Sequence, residues 1–148
     1  MEEKIVVYDG KTSFEGDTSI TGFTVAEGVT EIGERAFKGC TGLTSLEGLR
    51  STGVTMIGKS AFYGCTGLTS LEGLRSTGVT TIGKEAFNEC TGLTSLEGLP
   101  TGVTEIGASA FRECTGLTSL EGIPTGVTEI GRGAFRGCTG LTLLEGLP

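Results

Sequence analysis

Apolar residues recur along this chain at a spacing that no single helix or strand explains. Each copy of the pattern carries eight apolar positions that change only conservatively. In residues 68–92 they are Leu68, Leu71, Leu74, Val79, Ile82, Ala86, Phe87 and Cys90. The Ala-Phe pairs are separated by 25, 25, 24 and 24 residues, and they begin at Ala36, Ala61, Ala86, Ala110 and Ala134. A constant period in this range predicts a solenoid, whose single elongated core extends by stacking copies.

The copies divide the chain into rungs, numbered in chain order. Residues 1–19 differ from the rest, and we expect them to form an N-terminal cap that begins with a strand. Rungs 1 to 5 are residues 20–42, 43–67, 68–92, 93–116 and 117–140, and residues 141–148 form a partial rung. The period shortens where Arg-Ser-Thr-Gly in rungs 2 and 3 becomes Pro-Thr-Gly in rungs 4 and 5. We interpret this segment as a surface turn that tolerates a change of length.

Each rung is predicted to have two extended sides and one tight corner. In rung 3, residues 68–72 (Leu-Thr-Ser-Leu-Glu) and 79–82 (Val-Thr-Thr-Ile) are short, rich in Thr and strand-like. Residues 86–90 (Ala-Phe-Asn-Glu-Cys) are predicted to form a helical or 3₁₀ turn. The predicted fold class is therefore a mainly β repeat solenoid with short helical or 3₁₀ turns.

The rungs resemble the BspA-like leucine-rich repeats, whose frame reads Leu-x-x-Ile-x-Ile-Pro-x-x-Val-x-x-Ile-Gly-x-x-Ala-Phe-x-x-Cys. The match runs from Ile20 to the end of the chain, and rung 1 fits best, through Ile20, Phe23, Val25, Val29, Ile32, Gly33, Ala36, Phe37 and Cys40. Later rungs insert one glycine before the third apolar residue, at Gly48, Gly73, Gly98, Gly122 and Gly146. The resemblance implies a right-handed leucine-rich-repeat solenoid without catalytic residues, in proteins often found on cell surfaces, where they act in adhesion and partner binding.

Composition argues against several classes of function. The net charge of −7 and a pI near 4.6 do not suit binding to nucleic acid or to an anionic membrane. No run of about 18 apolar residues predicts a membrane span, and the acidic start is unlike a signal peptide. The chain has no histidine, and its glycines follow the repeat rather than a phosphate-binding motif. We therefore expect neither catalysis nor a cofactor.

The five cysteines occupy the same position in every rung, at Cys40, Cys65, Cys90, Cys114 and Cys138. Metal sites pair their ligands two to four residues apart, which this spacing does not provide. Neighbouring rungs lie roughly 4.8 Å apart, a separation that a disulfide can span, but an odd number leaves one thiol over. We interpret the cysteines as buried free thiols, with disulfides between rungs or a metal site as the alternatives.

Stacking should align one side of the rungs into an acidic ridge. The ridge consists of Ser45, Ser70, Ser95 and Ser119 beside Glu47, Glu72, Glu97, Glu121 and Glu145. Adjacent carboxylates would repel by about 1 kcal/mol even in water. The ridge is then a solvated edge that discourages strand pairing, a contact for a basic protein partner, or a calcium site, although it lacks a closed set of oxygen ligands.

Two other columns vary from rung to rung, as expected of a surface that recognises one irregular epitope. The turn column follows each Ala-Phe pair and contains Lys38, Tyr63, Asn88, Arg112 and Arg136. The strand column contains Glu31, Met56, Thr81, Glu105 and Glu129. We predict that Tyr63, Asn88, Arg112 and Arg136 contact a protein partner.

The last segment, Leu-Thr-Leu-Leu-Glu-Gly-Leu-Pro, stops part-way through a rung. Its apolar residues would lack a rung above them, which predicts that Leu141, Leu143, Leu144 and Leu147 pack either against a second copy of the chain, as a homodimer, or against a removed C-terminal segment. The leading function hypothesis is a non-catalytic protein-binding or adhesion solenoid with an unidentified partner. The alternative is a structural or designed consensus repeat scaffold that associates through this end.

Overall fold

A computed structural model describes residues 2–142, which form parallel rungs stacked on one another. The first sheet pairs β1 (Ile5–Tyr8) with β2 (Gly22–Val25). The second sheet is parallel, has the order β3-β4-β5-β6-β7, and has one two-residue strand in each rung. These strands are β3 (Glu31–Ile32), β4 (Met56–Ile57), β5 (Thr81–Ile82), β6 (Glu105–Ile106) and β7 (Glu129–Ile130). The predicted solenoid, with one strand in each Val-Thr-x-Ile segment, is confirmed.

The register of this sheet separates an inner from an outer column. Ile32, Ile57, Ile82 and Ile106 pair in sequence and are fully buried. The residue before each isoleucine points to the opposite face, because side chains alternate along a strand. That residue is the strand column, and it is exposed in every rung except rung 3, where Thr81 is half-buried.

The strand predicted at Leu-Thr-Ser-Leu-Glu is wrong for rungs 2 to 5. In rung 1 the equivalent stretch is β2, but rungs 2 and 3 have 3₁₀ helices at Glu47–Leu49 and Glu72–Leu74 instead. The inserted glycine explains the difference. A Cβ added to Gly73 would lie 1.9 Å from the carbonyl oxygen of Leu46, so the two backbones are in direct contact. Only glycine permits this approach, and the chain turns there instead of extending.

The Ala-Phe segment forms a series of tight turns, in agreement with the predicted corner. Alternate N–H groups bond within the rung to the residue three positions earlier, as in Ala36 N–H to Gly33 C=O at 3.2 Å. The others donate to the next rung, as in Phe37 N–H to the Ala61 carbonyl at 2.8 Å. Arg35 has a positive φ of 57°, which prevents the turns from continuing as a helix.

A column of stacked phenylalanine rings runs through the core. Successive ring centroids lie 5.4 to 5.6 Å apart with interplanar angles of 3° to 7°, in the order Phe37, Phe62, Phe87, Phe111 and Phe135. Rings at this separation gain stacking energy in addition to the burial of apolar area. Each rung is thereby held by the rungs above and below it.

The N-terminal segment packs against rung 1 as an incomplete rung. The Phe14 ring lies 5.6 Å from that of Phe37 and extends the phenylalanine column, and the Phe14 N–H donates to the Ala36 carbonyl. The buried hydroxyl of Tyr8 accepts the N–H of Gly33 at 2.8 Å. These contacts shield the first rung from solvent in the way that terminal segments of repeat proteins do.

Candidate binding surfaces

The five cysteines form a second internal column, and each thiol donates to the backbone of the preceding rung. The Sγ atoms lie 3.0 to 3.2 Å from the carbonyl oxygens of Phe14, Phe37, Phe62, Phe87 and Phe111. All five are free and buried, as interpreted from the sequence. The column therefore links the rungs and does not present a reactive surface.

Burial suppresses ionisation of these thiols. It raises the pKa of Cys40 to about 11 and the pKa values of Cys65 and Cys114 to about 12. It also raises the pKa of Cys90 and of Cys138. A thiolate in this column would lose its water and its donor hydrogen bond together, so the neutral form is favoured.

Stability should therefore decrease in alkaline solution. Thiols of the unfolded chain ionise near their ordinary pKa of 9.0, whereas the folded thiols remain protonated to about pH 11 or 12. Between these values the unfolded state gains ionisation free energy, up to about 1.4 kcal/mol per thiol for each pH unit. We expect the urea midpoint to be constant below about pH 8 and to fall clearly by about pH 10.5.

The control for this prediction removes two of the titrating groups. In a Cys65→Ala/Cys90→Ala variant the loss between the same two pH values should be smaller than in the parent, whatever the variant's stability at about pH 8. An equal loss in both proteins would assign the alkaline effect to tyrosines and lysines instead.

The acidic ridge is more structured than its sequence suggests. Each ridge serine accepts the N–H of the glutamate two residues later, as in Glu72 N–H to Ser70 Oγ at 3.0 Å. Ser45, Ser70, Ser95 and Ser119 are half-buried and shape the turn. Of the ridge glutamates described, Glu47, Glu97 and Glu121 are exposed and Glu72 is half-buried, so the carboxylates form the accessible part of the ridge.

Two arginines pair with the ridge glutamates of rungs 2 to 4. Arg50 pairs with Glu47 at 2.8 Å, and Arg75 pairs with Glu72 at 2.7 Å and with Glu97 at 3.5 Å. The Arg75 guanidinium also lowers the pKa of Glu72. In rungs 4 and 5 a proline occupies the position of these arginines, at Pro100 and Pro124.

The same prolines change the backbone at a second corner of the rung. This corner lies just after the ridge glutamate and is distinct from the Ala-Phe turn. In rungs 2 and 3 the 3₁₀ turn is closed by the arginine N–H, which donates to the glutamate carbonyl three residues earlier. Proline has no N–H and keeps the preceding residue out of the helical region, so this turn cannot form. The described corners of rungs 4 and 5 instead place Gly98 and Gly122 at positive φ, 106° and 101°.

The altered corners enclose a groove, which we call the corner groove. Its volume is about 310 Å³, and its lining includes Arg75, Glu97, Leu99, Thr101, Ile123 and Pro124. The apolar residues at its floor, Leu99 and Ile123, are each 6% exposed, whereas their counterparts in rungs 2 and 3 are fully buried. The buried Thr77 covers the corner of rung 3 and bonds to the Leu74 carbonyl, while Thr101 is exposed.

The turn column is partly accessible. Lys38 lies over the Tyr63 ring, with its Nζ 5.0 Å from the ring centroid, and Arg136 is exposed. Tyr63 and Arg112 are half-buried. Asn88 is a correction to the predicted site, because its short side chain is only 1% exposed and cannot meet a partner. Neither of its amide atoms has a hydrogen-bond partner within residues 2–142.

Sequence reasoning missed Arg75, Pro100 and Pro124. The signal in the sequence is the change from Arg-Ser-Thr-Gly to Pro-Thr-Gly, which alters the chemistry of the turn as well as its length. The predicted self-association residues Leu143, Leu144 and Leu147 lie outside the described residues, and Leu141 is half-buried.

Residues 2–142 contain no group of three or more His, Cys, Asp or Glu side chains placed to hold a metal ion. None of the helices in the same region has the length and apolar character needed to cross a bilayer.

The family of the chain follows from comparison with known sequences. The model of the BspA type leucine rich repeat region matches six copies within residues 10–142. The chain therefore belongs to the BspA-type leucine-rich-repeat family, which confirms the resemblance found in the rung sequences. A search of curated proteins found no match.

Solved structures support the same assignment. A leucine-rich-repeat protein from T. pallidum is 29% identical with a TM-score of 0.66, and the match covers 94% of this chain and 56% of that one. A leucine-rich-repeat protein from Bacteroides ovatus is 28% identical with a TM-score of 0.62, covering 93% and 36%. A leucine-rich cell surface protein from Faecalibacterium prausnitzii is 25% identical with a TM-score of 0.59, covering 95% and 47%. This chain thus spans between about a third and just over half of those proteins.

Proposed function

We propose that this chain is a non-catalytic solenoid that binds a protein partner, in an adhesion role at the cell surface. The observation that carries the proposal is the variation of the turn column. The residues around it are repeated from rung to rung, whereas the outward residues of the column itself differ. Lys38, Tyr63, Arg112 and Arg136 present mixed polar and aromatic groups on rungs that are held rigidly by the core. Tyrosine and arginine are enriched among the residues that dominate protein interfaces.

Rigidity supports this assignment of the contact surface. Each turn donates backbone hydrogen bonds to the next rung, as in Gly39 N–H to the Tyr63 carbonyl at 2.7 Å. A column fixed in this way loses little conformational entropy on binding, which favours affinity. The cell-surface location is proposed from the family and from the leucine-rich cell surface protein of F. prausnitzii among the similar structures.

Affinity capture tests the proposal. The immobilised chain is exposed to a cell-surface protein extract in parallel with a Tyr63→Ala/Arg112→Ala variant and with a matched Thr69→Ala/Thr94→Ala control on a different exposed column. We expect specific proteins to be retained by the parent and the control, and at least tenfold less by the first variant. Equal retention by all three, or none above the bare support, would contradict the proposal.

A structural scaffold is the second candidate, favoured by the identity of Leu-Thr-Ser-Leu-Glu-Gly in rungs 2 to 5. If the chain is a scaffold, the immobilised chain should retain free chain that is added to the extract, and no other protein should be enriched. Sedimentation over a concentration series then gives the size of the assembly.

A further inference from the structure

We infer that the corner groove of rungs 4 and 5 binds a short peptide segment in which a lysine or arginine adjoins an aliphatic residue. The inference rests on the proposed function, because it names a second contact of the same binding solenoid. The corner groove is separate from the turn column. No residue of the turn column is among the described residues that line the groove.

The first argument is the apolar floor. Leu99 and Ile123 are the only two residues of their core position in rungs 2 to 5 that reach solvent, at 6% exposure each, while Leu49 and Leu74 are fully buried. The cavity above them, about 310 Å³, lies at the lower limit of the volumes of small-molecule sites. It therefore suits one or two side chains of an extended segment better than a larger ligand.

The second argument is charge. The carboxylates around the groove, which we call its rim, are Glu97, which lines it, Glu121, which directly precedes the lining residue Gly122, and Glu72, which pairs with Arg75. Arg75 is the one cation among the described residues that line the groove. Arg75 is already paired with two of these carboxylates, at 2.7 and 3.5 Å. Three carboxylates against one guanidinium leave two negative charges, and the proline of rung 5 removes the arginine that would have neutralised Glu121. A cationic residue of a peptide complements this rim, whereas an acidic peptide is repelled.

The third argument is the comparison between rungs. In rungs 2 and 3 the Arg-Ser-Thr-Gly turn supplies both the neutralising arginine and the threonine that covers the corner. The Pro-Thr-Gly turn of rungs 4 and 5 lacks the arginine and leaves its threonine, Thr101 or Thr125, exposed. Apolar floor and acidic rim thus occur at the same place.

Selection from a phage-displayed random heptapeptide library tests the inference. The bait is the full chain carrying Tyr63→Ala/Arg112→Ala, so that the result does not depend on whether the turn column binds a partner. We expect enriched peptides to carry Lys or Arg beside Leu, Ile, Val or Met, and to bind more weakly as salt is raised. Acidic or purely polar enriched peptides, or no enrichment above the bare support, would overturn the inference.

Two variants locate the binding of the enriched peptides. Replacing Pro100-Thr101-Gly102 and Pro124-Thr125-Gly126 with Arg-Ser-Thr-Gly recreates the closed turn of rungs 2 and 3 and should reduce binding to background. Glu97→Gln/Glu121→Gln retains the backbone and should weaken binding about tenfold, as expected for two exposed ion pairs. This second variant keeps the test valid if the first does not fold.

The matched control removes two carboxylates elsewhere. Glu27→Gln/Glu34→Gln changes the net charge by the same amount at exposed positions outside the groove and should leave peptide affinity within about twofold. Equal weakening in the two double variants would mean that only the overall charge attracts the peptide, and would overturn the inference. Loss of groove binding with intact capture through the turn column would leave the proposed function standing.

Discussion

Replacing Gly73 with alanine should destabilise the chain by about 3 kcal/mol or more, because it forces overlap between two backbones. A Cβ at this position would lie 1.9 Å from the carbonyl oxygen of Leu46 and 2.1 Å from its carbonyl carbon. Both atoms belong to the main chain of the preceding rung. The overlap can be relieved only if rungs 2 and 3 separate or if the 3₁₀ turn at Glu72–Leu74 opens. Either change exposes core residues. Equilibrium unfolding in urea measures the loss.

Gly78→Ala is the matched control in the same rung. A Cβ at Gly78 meets only the Thr55 Cγ2 atom, at 3.9 Å, which is an ordinary contact. Its effect should be within about 0.5 kcal/mol, the usual range for surface substitutions. If Gly73→Ala were as mild as Gly78→Ala, the inserted glycine would not be required by the stacking of the rungs.

Replacing Phe87 with alanine should cost about 3 to 5 kcal/mol, the range for a phenylalanine deleted from a packed core. Its ring is fully buried between those of Phe62 and Phe111, with both centroid distances at 5.4 Å. Deletion leaves a cavity that rigid rungs cannot close. It also removes two stacking contacts, each worth about 0.5 to 1.5 kcal/mol in other proteins. Urea unfolding of the variant measures the total loss.

Two further variants distinguish the effect of a ring's position in the phenylalanine column from the effect of its stacking contacts. Phe14→Ala removes a half-buried ring that stacks on Phe37 alone, so its cost should be clearly smaller than that of Phe87→Ala. Phe87→Leu retains most of the apolar volume but not the stacking, and should fall between the parent and the alanine variant. Equal costs for Phe14→Ala and Phe87→Ala would contradict an energetically continuous column.

Both predictions bear on function, because the binding surfaces lie on the same rungs. In a stacked array each rung contributes mainly through contacts with its neighbours. A variant that separates rungs 2 and 3 would also move Tyr63 of the turn column and Arg75 of the corner groove. Binding variants should therefore be compared at equal folded fraction.

The sequence allowed much of the fold to be predicted. The two-residue strands end at the isoleucine that precedes glycine, as at Thr81–Ile82, and the cysteine and phenylalanine columns are the stacked positions of the repeat. The wrong element was the first extended side of the rung. Leucine and threonine favour a strand at residues 68–72, but the contact between Gly73 and the rung below favours a turn.

The candidate sites were less predictable. The carboxylates of the acidic ridge and the residues Lys38, Tyr63 and Arg136 are accessible, as expected from their variation or charge. Asn88 occupies the same column but is buried, because its side chain is shorter than those at the equivalent positions of the neighbouring rungs. Pairing of Arg75 with glutamates on two different rungs depends on the stacking distance and could not be deduced from one rung.

The repeat, its register and the identity of the inner columns follow from the order of the amino acids alone. A fixed period places equivalent residues above one another, and only one face of each rung is apolar enough to be buried. The tertiary structure decided the shape of the corners and the exposure of the outer columns. These depend on contacts between rungs: a glycine against a neighbouring carbonyl, an arginine shared by two glutamates, and a proline that leaves Leu99 and Ile123 partly uncovered.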